Sequence, residues 1–241
     1  MAAVSYLNTK PLIYGFEKGM MKDEIELVFD YPARVADLLL NDEVDIGLIP
    51  VATLPRMKEY FIVSDYCIGA TMPVASVCLF SDVPVNDIKE VLLDYQSRSS
   101  VALLKILLNE HWGIKPALTN TTEGFQHLIK GNTAGLVIGD RALNQQKKSA
   151  YVYDLAEAWQ QMTGLPFVFA AWVANKQLPS EALNSFNKAT GEGLYHLEEI
   201  VAANPFQDYD LYTYYSSNID YILDDKKRKG MELFLQKISQ I

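Results

Sequence analysis

A chain of 241 residues, 49% of them hydrophobic, is long enough to bury one large core or two lobes. Its formal net charge of -9 argues against a nonspecific nucleic-acid surface, which needs clustered Lys and Arg. Apolar stretches such as Leu165 to Ala174 fall short of the roughly 20 residues that span a bilayer, so no membrane segment is expected. The first residues show no basic region leading into an apolar run and a small-residue cleavage site, and the 2 cysteines make no disulfide framework. A reducing cytoplasm is the expected compartment.

The chain opens with a short apolar start and then a polar turn, Ser5 to Leu12, SYLNTKPL. Pro32 precedes a helical pattern over Arg34 to Asn41, with Val35, Leu38, Leu39 and Leu40 apolar. Asp45 to Pro50, DIGLIP, reads as a buried strand ending at a proline. Phe61 to Ile68, Ala75 to Phe80 and Val91 to Leu93 read as extended, and a helix begins at Ser99 or Ser100. Further on come a helix near Glu123 to Lys130, a strand at Gly135 to Ile138, and a turn at Gly139-Asp140-Arg141 that opens another helix. Phe167 to Val173 is a strand, and the rest reads as helix, broken at Pro205 and resuming near Asn218. The basic run Lys226 to Lys229, after Asp224 and Asp225, reads as a solvated helix start.

Alternating strands and helices favour an α/β architecture. Without a low-complexity linker, two lobes must be joined by extended crossings, for which Met72 to Ser76 and Pro166 to Ala171 are the candidates. The implied division is a discontinuous first lobe, 1–74 with 170–241, and a second lobe, 75–169.

The chemistry on offer is hydroxyls, an amide and backbone donors, which suit a bound carboxylate. Ser97, Arg98, Ser99 and Ser100 precede an apolar helix, where unpaired N–H groups carry partial positive charge and bind anions. Simple N-capping explains the same serines without a ligand. Arg98 either clamps an anion or pairs with Asp94. Asn8 and Thr9 either orient a ligand or stabilise their own turn, and Ser76, alone in an apolar run, needs a partner if buried. Asp140 and Arg141 read equally as a cap and its neighbour. The 3 histidines lack metal-ligand spacing, Cys67 and Cys78 form no CxxC, and no P-loop, GxSxG or GxGxxG occurs, so no metal, nucleotide or nicotinamide is indicated. The tyrosines at 209, 212, 214 and 215 read as packing between terminal helices.

Taken together and in order, SYLNTKPL, DIGLIP, the SRSS helix start, the GDRAL turn at Gly139 to Leu143 and DLAEAWQQMTGLPFVFAA from Asp154 to Ala171 resemble the chorismate dehydratases of the futalosine route to menaquinone, the MqnA family. The resemblance runs over nearly the whole chain. A first strand starting only at Ala2, and Ala75 before Ser76, depart from the family pattern. The resemblance implies a two-lobed fold similar to type II periplasmic binding proteins, with a ligand cleft between the lobes. It implies a cytoplasmic enzyme that needs no cofactor and takes chorismate as its small-molecule substrate. Ser5, Asn8, Thr9, Pro50, Ser76, Ser97, Arg98, Ser99, Ser100, Gly139 and Asp140 are then the expected substrate-binding residues. Asn8, Ser76 and Asp140 are the expected catalytic ones, with Asp140 the base if its side chain points inward. The substrate's own enolpyruvyl carboxylate is the other candidate base. A non-catalytic carboxylate-binding protein or effector domain on the same fold is the alternative, because a fold does not fix a function.

Overall fold

The structure, a computed structural model, describes residues 1–240. Its strands fall into two sheets. The first holds β1 (Ala2–Val4), β2 (Val28–Asp30), β3 (Ile46–Pro50), β4 (Phe61–Ala70), β10 (Phe167–Ala174) and β11 (Asp220–Ile222), in the order β11-β4-β10-β3-β1-β2. The second holds β5 (Val77–Ser81), β6 (Glu90–Leu93), β7 (Ala117–Asn120), β8 (Thr133–Ile138) and β9 (Tyr151–Asp154), in the order β7-β6-β8-β5-β9. In both, parallel pairs such as β1·β3 and β6·β8 sit beside antiparallel ones such as β10·β3 and β5·β8. The chain leaves the first sheet after Ala70 and has returned to it by Phe167.

Each helix begins where the local chemistry favours it. The helices α1 (Lys10–Glu17) and α2 (Pro32–Leu40) carry proline in the first turn, where a missing N–H costs nothing. The helices α3 (Ser99–Glu110) and α4 (Asp140–Gln145) start just beyond the ends of β6 and β8. At α5 (Leu155–Thr163), Asp154 accepts from the N–H groups of Ala156 and Glu157, and Gly164 ends the helix at φ 73°. The helices α6 (Ser180–Gly191) and α7 (Leu197–Ala203) pack on α1. The short α8 (Leu211–Thr213) runs into a π turn at Tyr214–Asn218, and Asp224 caps α9 (Asp225–Ile238). The central strands β3 and β10 are buried at every residue, which is why their sequences read as continuous apolar runs.

Three expectations fail locally. Glu123 to Lys130 is a 3-10 turn, Phe125–Leu128, because Gly124 enters at φ 82° and only one turn separates it from β8. The segment near Asn218 is the end of the π turn followed by β11, whose pairing with β4 outweighs its helical reading. The basic run is only partly solvated: Lys227 is fully buried, its ammonium 2.6 Å from Asp220 and 3.3 Å from Asp224. No helix is long and apolar enough to cross a membrane among the described residues, and both cysteines are free and buried.

Candidate active site

A cleft opens where strands of both sheets end. Val4, Pro50 and Ile138, the last residues of β1, β3 and β8, line it together with Ile68, Val74, Val77, Phe169 and Ala170. Ligands of α/β sheets sit outside the carboxyl ends of strands for this reason: helix starts and turn amides converge there. The cavity is narrow, about 50 Å³, below the ~300–1,000 Å³ common for small-molecule sites. The polar side chains in its wall are Tyr6, Asn8, Ser76, Ser97, Ser99 and Ser100, and no acidic or basic side chain is among the lining residues described.

Of the residues expected from sequence, Asn8, Pro50, Ser76, Ser97, Ser99, Ser100 and Gly139 come together in this wall. Four do not. Ser5 is exposed, its N–H donating to the Asp30 carbonyl at 3.0 Å as the chain leaves β1. Thr9 is buried below its turn, its hydroxyl donating to Asn8 Oδ1 at 3.2 Å. The Arg98 guanidinium turns outward to Asp37, 2.6 Å away, while Asp94 takes Arg141 instead at 3.0 Å. Asp140 lies behind the wall, its carboxylate accepting the N–H of Leu7 at 3.0 Å, so it holds the Asn8 turn and does not face the cleft. Burial raises the Asp140 carboxyl to about 6, against the opposing pull of that N–H and of the Arg141 and Lys10 charges.

The serine cluster at α3 is largely committed. Ser97 Oγ accepts the N–H of Ser100 at 3.1 Å, the capping role the sequence allows. Ser99 Oγ donates to the Phe169 carbonyl at 2.9 Å and accepts the N–H of Ala52 at 3.2 Å, tying α3 to the first sheet. Ser76 is the opposite case. Its hydroxyl is fully buried and meets no hydrogen-bond partner, as do the hydroxyls of Tyr214 and Tyr215. A buried hydroxyl left in this state costs about 1–3 kcal/mol.

The backbone at Ser76 is held with effort. Ala75 sits at φ 62°, left-handed for a residue with a Cβ, a conformation that costs on the order of 1–3 kcal/mol. Three contacts keep it there: its N–H donates to Asp154 Oδ2 at 2.7 Å, its carbonyl accepts Gln146 Nε2 at 2.6 Å, and Gly139 N–H reaches the Ser76 carbonyl at 2.8 Å. Asp154 thus serves both the α5 cap and the Ser76 turn. Burial pushes its carboxyl up, and the N–H donors of Ala75 and α5 pull it back.

Contacts from lobe to lobe close the cleft. Tyr6 OH meets Gln96 Oε1, which Arg141 also reaches at 2.6 Å, and the N–H of Ala33 donates to the Gln96 carbonyl at 3.1 Å. A Cβ at Gly139, φ 64°, would lie 2.8 Å from the Tyr6 ring, so this approach requires glycine. Asp94 is 2% exposed and paired with Arg141; burial raises its carboxyl and the guanidinium opposes the rise. Tyr6 is the polar residue of the wall that sequence reasoning missed, with Gln96 and Arg141 joined to it behind the wall. A lone tyrosine between Ser5 and Leu7 carries no sequence signal for this role.

Known proteins share this two-sheet fold. A protein of Archaeoglobus fulgidus superposes with a TM-score of 0.75 at 14% identity, over 99% of this chain and 96% of its own. A Candida albicans protein with the generic periplasmic binding protein fold superposes with a TM-score of 0.62 at 11% identity, over 100% and 89%. The fold is therefore of the two-lobed periplasmic-binding-protein type. The chorismate dehydratase of Thermus thermophilus is 29% identical, over 97% of this chain and 92% of the relative. With a match of residues 1–240 to the family model for menaquinone biosynthesis, the chain belongs to that family.

Proposed function

We propose that this protein is a hydro-lyase that removes water from chorismate to give 3-[(1-carboxyvinyl)oxy]benzoate, working in the cytoplasm without a cofactor. The observation that carries this is a cleft walled by uncharged donors, Asn8, Ser76 and the α3 serines, in a chain of the menaquinone biosynthesis family. The similarity to the Thermus thermophilus enzyme supports the choice of substrate. The division into lobes 1–74 with 170–241 and 75–169 belongs to the same proposal, with the ligand gripped between them.

The chemistry asks little of an enzyme beyond grip and orientation. The C3–H bond of chorismate breaks, its electron pair becomes a ring double bond, the C4–O bond breaks, and the departing hydroxide takes up the released proton as water. The ring becomes aromatic, so the step is downhill. Asn8 and Ser76 contact one carboxylate or the departing hydroxyl, and the Ser100 hydroxyl with the helix-end amides holds the other carboxylate. Donors fixed in advance stabilise negative charge as it moves toward the ring carboxylate. With Asp140 engaged at Leu7 and no carboxylate in the described lining, the substrate's enolpyruvyl carboxylate is assigned as the base.

The test is purified protein with chorismate, followed by ultraviolet absorbance and mass spectrometry beside an enzyme-free control. Product lighter by one water, formed at a rate proportional to enzyme, is the expected result. Saturable chorismate binding without turnover would instead make this a carboxylate-binding protein, and no binding at all would discard the substrate.

A further inference from the structure

The Ser76 hydroxyl is carried by a turn whose backbone, from the Val74 carbonyl to the Ser76 carbonyl, is fully paired. Ser76 N–H donates to the Val74 carbonyl at 2.8 Å, closing a three-residue turn with Ala75 at its centre, φ 62°. A γ-turn with positive φ is the rare and strained form. Ala75 N–H donates to Asp154 Oδ2 at 2.7 Å, the Ala75 carbonyl accepts Gln146 Nε2 at 2.6 Å, and the Ser76 carbonyl accepts Gly139 N–H at 2.8 Å. Val74 and Ser76 both line the cleft. Ser76 Oγ, fully buried, is left without a partner among the described residues.

Sheet register puts the carboxylate in place. Asp154, the last residue of β9, lies opposite Cys78 of β5, two positions beyond Ser76. Its two oxygens have separate tasks: Oδ1 accepts the N–H groups of Ala156 and Glu157 at 2.9 and 3.1 Å, and Oδ2 accepts that of Ala75. A helix cap needs one side-chain oxygen, which serine or asparagine supplies as well. The second oxygen is therefore the part that α5 does not require. Strained backbone persists only where its surroundings over-determine it, and it collects at ligand clamps. A hydrogen bond to a carboxylate is of the same order as the strain at Ala75, so losing it lets Ala75 relax toward negative φ and draws Ser76 out of the wall.

We propose that Asp154 is a positioning residue for the reaction assigned above: through the Ala75 N–H it holds the strained turn that presents the Ser76 hydroxyl to the substrate. The inference rests on the proposed dehydratase reading, and Asp154 itself is not among the residues of the cleft wall. Glycine adopts φ 62° without strain, so the hold is needed only because Ala75 carries a Cβ.

The experiment measures kcat and KM for chorismate, and melting temperature without ligand, for wild type, Asp154→Asn, Ala75→Gly and the double variant. Asparagine keeps one oxygen, which stays with the two α5 donors, and sets its NH2 against the Ala75 N–H. Asp154→Asn is expected to lower kcat by roughly tenfold or more with a smaller change in KM, because the α3 end still holds the substrate. In the Ala75→Gly background the same substitution is expected to cost less than about threefold. Gln146→Leu removes the other hold and leaves the α5 cap intact; its loss in kcat should shrink in the same background, and it decides the matter if Asp154→Asn does not fold. An active wild type beside an Asp154→Asn variant of full kcat would overturn the proposal alone, as would a loss undiminished in the Ala75→Gly background or an inactive Ala75→Gly protein. A wild type without turnover would overturn the dehydratase reading and the proposal with it.

Discussion

Serines face the same cleft from two sides and do different things there. At the start of α3, Ser97 caps its own helix and Ser99 links Ala52 to Phe169. At the crossing, Ser76 is just as buried, but its hydroxyl is unpaired, and it is aimed by a strained Ala75 that Asp154 and Gln146 hold in place. A hydroxyl whose bonds are all made within the protein contributes to folding and has little left for a ligand. One left unpaired costs stability and gains it back when a ligand supplies the partner. Ser97 and Ser99 are thus spent within the protein while the Ser76 hydroxyl is not, a division that residue type alone does not make.

The largest effect that sharpens this division is expected at Ser76. Ser76→Ala should lower kcat/KM for chorismate by about 100-fold, equivalent to about 2.7 kcal/mol of transition-state stabilisation, while leaving the melting temperature unchanged or slightly raised. A rate within threefold of wild type would return Ser76 to the status of a packing residue. Ser99→Ala should show the reverse pattern. Losing its bonds to Phe169 and Ala52 is expected to cost about 1–2 kcal/mol. Near the midpoint that corresponds to a fall of roughly 2–8 °C in melting temperature. A Ser99→Ala protein of wild-type stability whose rate collapses would break the comparison.

Asp140 sets a smaller, third test, because it separates a support from a base. Asp140→Asn keeps an oxygen that can accept the Leu7 N–H, so turnover is expected to stay within about tenfold of wild type. A loss beyond a thousandfold would reinstate Asp140 as the proton acceptor. The same variant carries a pH signature. Burial raises the Asp140 carboxyl from 3.8 to about 6, so the folded state holds this proton more tightly than the unfolded chain does. The stabilisation from that proton is fully present below about pH 4 and is lost as pH rises through about 6. Over this window the wild type should lose stability relative to Asp140→Asn, measured as melting temperature against pH, and parallel curves would contradict the buried placement of the carboxyl.

Much of the architecture was legible in the chain because it rests on local rules. The unbroken apolar runs of Ile46 to Pro50 and Phe167 to Ala174 are central strands buried on both faces, and proline in the first turn sets the start of α2. The order strand, polar turn, helix around Ser97 to Ser100 and Gly139 to Asp140 placed both segments at a sheet's carboxyl edge, where the cleft is found. The errors arose where a distant partner decided the outcome. Residues 220–222 pair with β4, and Lys227 is drawn into the interior by Asp220 and Asp224.

What the sequence by itself determined is the inventory and its local form: an α/β chain with hydroxyl and amide donors at strand ends. Periodicity, proline and capping residues act within a few positions of one another, so they can be read in one dimension. Only the tertiary structure decided which donors are spent and which are free. Ser99 meets Phe169 across 70 positions, Leu7 meets Asp140 across 133, and the buried Ser76 hydroxyl is left without a partner. Whether a buried hydroxyl has a partner depends on a few tenths of an ångström between segments remote in the chain, and that distance is fixed only when the two lobes pack together.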